Sequence, residues 1–195
     1  HLIREALDTG KDVLYLLPEI ALTTQLIERL RLRFGDRVAV YHSRFSDNMR
    51  AECYLQVLEE DREPLLIVGA RSALLLPHRR LGLVLVDEEH ENSYKQYEPA
   101  PRYHARDSAL MLARISGAAS LLGSATPSVE SYFNAVTGKY GLVTLTERYG
   151  GVSLPNILVS DIIRSARRGE RTSLFNRVLL EELDKTLAAG KQAIL

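Results

Sequence analysis

The chain has 195 residues, 46% hydrophobic and 26% charged, which is enough apolar material for one sizeable core and excludes a disordered tail. Its 25 basic and 25 acidic side chains cancel, so attraction of nucleic acid by the whole surface is excluded and any such contact must come from local clusters. A single cysteine, Cys53, excludes a disulfide framework; no apolar run reaches the roughly 20 residues that span a bilayer and no signal peptide opens the chain, so a cytoplasmic protein without membrane contact is expected.

The first predicted element is a helix entered partway: His1, Leu2, Ile3, Arg4, Glu5, Ala6 and Leu7 repeat apolar side chains at helical spacing, with neither Met nor a capping residue ahead. From there short apolar runs alternate with longer amphipathic ones. Residues 13–17, 38–41, 65–68, 83–86 and 120–122 read as buried strands, nearly continuous in apolar side chains as parallel strands covered on both faces must be. Residues 23–34 place Leu26, Ile27, Leu30 and Phe34 on one helical face, and residues 47–60 do the same with Met49, Cys53, Val57 and Leu58. Pro127 and Ser128 open a further helix. Segment 149–156 is rich in turn formers and reads as a connector. It leads to a short strand at 157–159, a basic cluster of Arg164, Arg167, Arg168 and Arg171, an amphipathic helix at 174–187 and the start of a strand at 192–195. The alternation predicts an α/β fold, a doubly wound parallel sheet with helices on both faces, truncated at both ends. Ligands in that architecture gather at the carboxyl ends of the strands, so polar residues directly after strands are the candidates.

The densest such group is Asp87-Glu88-Glu89-His90, delivered by an apolar strand. Bringing three carboxylates together costs free energy unless a cation or protons offset it. In nucleotide hydrolases of this build the acid at the strand tip holds Mg²⁺, usually through water, and the next acid orients or deprotonates the attacking water. Asp87 takes the first role in that reading and Glu88 the second; the plainer reading is a solvated acidic turn. The strand at 120–122 ends in Gly123-Ser124-Ala125-Thr126, small and hydroxyl residues that permit close backbone approach and can hydrogen-bond a neighbouring carboxylate or His. Read alone, this is an ordinary helix start.

Taken together and in this order, the two segments resemble motifs II and III of superfamily 2 helicases. Residues 17–25 (L-P-E-I-A-L-T-T-Q) are similar to motif Ia and residues 68–77 (V-G-A-R-S-A-L-L-L-P) to motif Ib in the form used by the PriA family. Tyr41-His42-Ser43 with Arg50, and the aromatic-rich stretches 90–97 and 102–107, resemble that family too. The resemblance implies a RecA-like lobe of the P-loop NTPase type over residues 1–150 and the beginning of a second lobe over 151–195. It implies ATP and Mg²⁺ as cofactors and 3′-to-5′ helicase activity on single-stranded and forked DNA in replication restart. It also implies partners among primosome proteins and single-strand-binding protein. The family carries zinc, but the cysteines for that site are absent from this sequence. No stretch has the form G-x-x-x-x-G-K-T, so the phosphate-cradling loop is expected upstream of His1 and the chain alone is expected to be inactive.

By the same resemblance Thr23, Thr24, Gln25, Gly69, Arg71 and Ser72 contact the DNA backbone, as hydroxyls, amides and helix N–H groups at strand exits can; helix caps and a surface arginine are the plainer reading. Tyr94, Tyr97 and Tyr103 lie among Lys95, Arg102, His104 and Arg106, combining rings for base stacking with cations for phosphate on one segment, unless the rings pack on their own domain. His90 is expected to join Asp87 and Glu88 to Ser124, Ala125 and Thr126. Two other functions remain open. One is a noncatalytic DNA-binding or protein-interaction module; the other is a metal-dependent hydrolase using His42 and His104 with Glu88 and Glu89, which no ligand spacing supports. His78 is expected in a solvated turn and Cys53 in the core. Residues beyond about 160 are expected to be mobile, to pack non-natively or to mediate self-association.

Overall fold

The structure, a computed structural model, describes residues 1–147, 149–151, 155–161, 163 and 175–195. These fall into two compact units, His1–Leu142 and Val143–Leu195. The first is built on a five-stranded, all-parallel sheet of β1 (Asp12–Leu16), β2 (Val38–Tyr41), β3 (Leu66–Gly69), β4 (Leu81–Val86) and β5 (Ala119–Leu122), in the order β2-β3-β1-β4-β5. The five runs expected as buried strands of this sheet are strands, within one or two residues at each end.

Strand periodicity divides the core. Leu14, Leu16, Ile67, Val84 and Val86 point to one face, where Cys53 and Val57 of α3 (Asp47–Leu58) and Ala105, Ala109 and Ala113 of α4 (Ala105–Ser116) cover them. Val13, Leu66, Val68, Leu83 and Leu85 point to the other face, under Leu7 of α1 (Leu2–Asp8) and Leu26, Ile27, Leu30 and Phe34 of α2 (Thr24–Phe34). Helices therefore cover both faces, as the alternation predicted. β1 and β4 are neighbours, yet the chain leaves β1 for a helix on one face and β4 for a helix on the opposite face. That divergence opens a crevice at their carboxyl ends. β5 forms one edge, with Ala119, Ser120 and Leu121 exposed. Gly69 closes β3 because a Cβ there would lie 2.5 Å from the Tyr41 carbonyl oxygen. Cys53 is core, its thiol pushed up to about 11 by burial.

At the amino end of the sheet a fully buried carboxylate ties three segments. Asp12 receives both terminal nitrogens of Arg62, at 2.8 and 2.7 Å, together with the Leu65 N–H at 2.8 Å, while Arg80 stands 3.6 Å away. The bidentate fork and the backbone donor compensate the loss of water around that charge.

In the second unit, α6 (Arg177–Ala188) begins at Asn176, whose side chain accepts the Leu179 N–H at 2.9 Å. The runs 157–159 and 192–195, expected as strands, form none among the described residues, since a strand requires a paired neighbour. The connector's residues 152–154, the basic cluster Arg164, Arg167, Arg168 and Arg171, and Leu174 lie outside the described residues.

Asp12→Ala is expected to lower the unfolding free energy by roughly 3–5 kcal/mol by stranding the Arg62 charge, as measured by urea denaturation.

Candidate active site

β4 hydrogen-bonds to β1 up to its last residue, and the Asp87 N–H continues the ladder to the Leu16 carbonyl at 3.0 Å. Asp87 is thereby fixed at the crevice. Its Oδ2 accepts the Tyr15 hydroxyl at 2.8 Å, its Oδ1 accepts the Glu88 N–H at 3.0 Å, and its carbonyl accepts the Tyr94 hydroxyl at 2.7 Å. Burial first, and then the neighbouring Asp87, push the Tyr15 phenol well above its ordinary range, so it remains a donor. Each carboxylate oxygen keeps a lone pair for a further donor, such as metal-bound water. Gly123 faces Asp87 Oδ1, which a Cβ there would meet at 3.4 Å, in ordinary van der Waals contact.

The next residue turns the chain. Glu88 has φ of +47°, a left-handed conformation that costs a non-glycine residue about 1 kcal/mol and clusters at functional sites. The Glu91 N–H returns to its carbonyl at 2.9 Å, and its half-exposed carboxylate stands 3.7 Å from Nδ1 of His90. His90 in turn shares a hydrogen bond of 2.7 Å between Nδ1 and Ser124 Oγ, and one of 3.3 Å between Nε2 and Thr126 Oγ1. Ser124 Oγ also accepts the Thr126 N–H at 3.0 Å. Ala125 contributes backbone and a small exposed methyl. The structure thus brings Asp87, Glu88 and His90 together with segment 124–126.

Glu89 does not join that group, which corrects the picture of three carboxylates gathered around one cation. It is 1% exposed and points into the domain. There its carboxylate accepts the Ser128 N–H at 2.6 Å, Arg106 Nη1 and Ser128 Oγ at 3.0 Å each, and Ser131 Oγ at 2.8 Å. Burial pushes the Glu89 carboxyl up, but these donors outweigh it and hold it below its ordinary value. Arg106, grouped in the sequence with phosphate-facing cations, is spent on Glu89, Asp107 and Ser128. Ser128 and Ser131 belong to the start of α5 (Val129–Val136), whose cap is the Ser128 hydroxyl accepting the Ser131 N–H at 3.3 Å.

The aromatic loop is pinned rather than loose. Lys95 and His104 form an antiparallel bridge, the Lys95 ammonium donates to the Arg102 carbonyl at 2.9 Å, and Arg102 Nε donates to the Tyr97 carbonyl at 2.8 Å. Tyr94, 1% exposed, is packed in the core with no face free for a base. The half-buried Tyr103 donates to the Arg71 carbonyl at 3.2 Å. Tyr97 is 67% exposed and sits beside the exposed Arg102. Arg71 donates to the carbonyls of Ser93 and Lys95, at 3.1 and 3.4 Å, so its guanidinium holds the loop. Thr23, Thr24 and Gln25 are exposed at the start of α2, where the Thr23 hydroxyl accepts the Leu26 N–H at 3.3 Å. Gly69 is buried, and the buried Ser72 hydroxyl has no hydrogen-bond partner among the described residues.

His42 accepts the Arg44 N–H on Nδ1 at 2.9 Å, and among the described residues no three His, Cys, Asp or Glu side chains converge as a metal cluster. Burial lowers the pKa of His104 and of His78; the latter, expected in solvent, bonds the Ala73 carbonyl at 3.0 Å. Sequence reasoning overlooked Tyr15, though a phenol among aliphatic strand residues signals a hydroxyl that needs a buried partner. Nothing in the spacing pointed to the pairing of Arg106 with Glu89.

The fold and the site define the RecA-like lobe of a helicase, and the chain belongs to the DEAD/DEAH box helicase family, whose model matches residues 1–134. It is similar to the replication restart protein PriA of Bacillus subtilis, 42% identical over 193 residues that cover 99% of this chain and 24% of that protein. The proteins of the same name from Chlamydia pneumoniae and Rickettsia felis are 39% and 40% identical over 98% and 100% of this chain, which covers 25% and 29% of them. The chain thus spans about a quarter of the length of these relatives. Among the described residues no helix is long and apolar enough to cross a membrane.

Because Glu89 is held below its ordinary value of 4.5, its stabilising contribution is full above that pH and is lost as pH falls through the folded-state value. Acid titration followed by circular dichroism is expected to show stability declining below about pH 4.5, with Glu89→Gln flattening that part of the profile.

Proposed function

We propose that this chain is the magnesium-binding and DNA-contacting part of the first motor lobe of an ATP-dependent 3′-to-5′ DNA helicase acting in replication restart. The observation that carries the reading is the His90 imidazole, which bonds Ser124 and Thr126 and stands beside Glu88 at the crevice where Asp87 ends its strand. Support also comes from the similarity to replication restart proteins. Asp87 would hold Mg²⁺ through water, having one lone pair free on each oxygen and a Tyr15 donor to fix its orientation. Bound there, Mg²⁺ would neutralise charge on the phosphates. Glu88 orients the attacking water and takes its proton. His90 carries the state of that carboxylate to segment 124–126.

For DNA, the reading favours the exposed surfaces: Thr24 and Gln25 at the helix start for the phosphate backbone, and Tyr97 with Arg102 for a stacked base. Arg71, Tyr94, Lys95 and Tyr103 hold the loop that bears Tyr97 and Arg102. Single-stranded and forked DNA are the substrates this reading assigns, with primosome proteins and single-strand-binding protein as partners in a cytoplasmic setting. Without a G-x-x-x-x-G-K-T loop in its sequence, the chain by itself is assigned no ATP turnover.

In the full-length protein Glu88→Gln is expected to keep ATP binding and lower kcat by about a hundredfold or more, the usual contribution of a positioned general base. Steady-state ATPase assays with equilibrium nucleotide binding check this; undiminished turnover overturns the role of Glu88. Tyr97→Ala is expected to weaken single-strand binding about tenfold, within the range for loss of one stacked base, in fluorescence anisotropy at fixed salt. Unchanged affinity removes Tyr97 from the DNA surface.

A further inference from the structure

Glu88 and Glu89 are neighbours in sequence with opposite fates. Glu88 adopts a left-handed conformation and keeps its carboxylate at the crevice; Glu89 is swung into the domain and almost fully buried. Conformations of this kind persist where the surroundings over-determine them. Within the turn, the Glu89 side chain provides the deepest anchor: two oxygens receive four donors, from Arg106 of α4 and from Ser128 and Ser131 at the start of α5. Ser128 is saturated as well. Its hydroxyl accepts from Arg106 Nη1 at 2.7 Å and from the Ser131 N–H, and donates its proton to Glu89.

Segment 124–126 is consequently pinned at both ends to one turn of chain. His90 holds it at Ser124 and Thr126, and Glu89 holds the residues that follow it, while the Glu89 N–H donates to the Gly123 carbonyl at 3.0 Å just before it. A rigid triangle results, with the acidic turn, the small-residue loop and the start of α5 as its corners.

We propose that Glu89 is a positioning residue. Its buried clamp on Arg106, Ser128 and Ser131 holds Glu88 in the left-handed conformation and keeps segment 124–126 closed on His90, so the carboxylate that activates water depends on a neighbour that never meets the nucleotide. The proposal rests on the assignment of Glu88 above. A displacement of about an ångström at a reacting group can cost a hundredfold in rate, so releasing the clamp reaches chemistry without touching ligand.

The test uses the full-length protein and three variants: Glu89→Gln, which keeps size but loses charge and brings donors face to face; Ser131→Ala, which removes one of the four donors; and Glu88→Gln as control. ATP turnover per folded molecule is measured with the KM for ATP, the folded fraction being taken from thermal melts. Glu89→Gln is expected to lower kcat about tenfold or more and Ser131→Ala about two- to threefold, each with KM within about twofold of the parent. Adding Arg106→Gln to Glu89→Gln should lower kcat little further, because both changes break one unit. If either single variant melts earlier while kcat per folded molecule is unchanged, Glu89 merely supports the fold and the proposal fails. Full turnover in Glu88→Gln defeats the underlying assignment instead. Should Glu89→Gln not fold, the graded loss in Ser131→Ala alone decides.

Discussion

An all-parallel sheet sends every strand exit to one edge, and at the β1–β4 boundary the chain departs from adjacent strands toward opposite faces. That pairing fixes where the candidate site lies. Asp87 stands in the crevice because its N–H still belongs to the ladder with Leu16, and Tyr15, one residue before the end of the neighbouring strand, is within reach of its carboxylate. Shifting β4 by a single residue would turn Asp87 toward the other face and present Val86 to the crevice. Register therefore matters as much as residue identity.

Beyond that boundary the problem is the management of like charge. Four acids occur within five residues, at positions 87, 88, 89 and 91, and a shared exposed position would make them repel. The fold separates them by direction. Asp87 keeps donors on both oxygens at the crevice, Glu88 is turned outward by its unusual φ, and Glu89 receives a buried arginine and a helix start. Burying the Glu89 charge is sustained because a cation and three uncharged donors replace its water, the helix start adding a favourable field at the same place. At the opposite end of the sheet Asp12 uses the same solution with Arg62 and a backbone N–H. In both places a buried carboxylate joins segments that hydrophobic contact alone would leave free to slide.

Much of this was legible in the sequence, for reasons that also explain what was not. Near-continuous apolar runs marked all five strands because burial on both faces leaves no room for polar side chains, and the order of acidic and small-residue segments placed Asp87, Glu88, His90, Ser124 and Thr126 at adjacent exits. Direction of a side chain past a strand tip was not legible. Glu89 looks identical to Glu88 in a string of letters, and what parts them is a backbone angle plus an arginine seventeen positions downstream. The tyrosines show the same limit. Composition said rings and cations; only packing distinguishes Tyr94 in the core and Tyr103 on Arg71 from the exposed ring of Tyr97. Residues 157–159 have strand composition, but composition supplies no partner for their backbone groups.

The aromatic loop and the acidic turn share a physical connection that neither motif discloses by itself. Tyr94 reaches from the loop to the Asp87 carbonyl, while Arg71, after β3, holds the loop through Ser93 and Lys95 and receives Tyr103 on its own carbonyl. A path of direct hydrogen bonds thus runs from the crevice acid, through a buried phenol, to the surface that bears Tyr97 and Arg102. Contiguity is a precondition for coupling, which additionally requires an element with two arrangements whose balance both ends bias. The turn at Glu88 lies between the two ends of that path, its backbone in a costly conformation that hydrogen bonds sustain. Asp87 with Tyr94 lies on one side of it and His90 with segment 124–126 on the other. These few residues of backbone thus join the crevice acid to both neighbouring segments, and the buried side chain of Glu89 anchors them to α4 and to the start of α5.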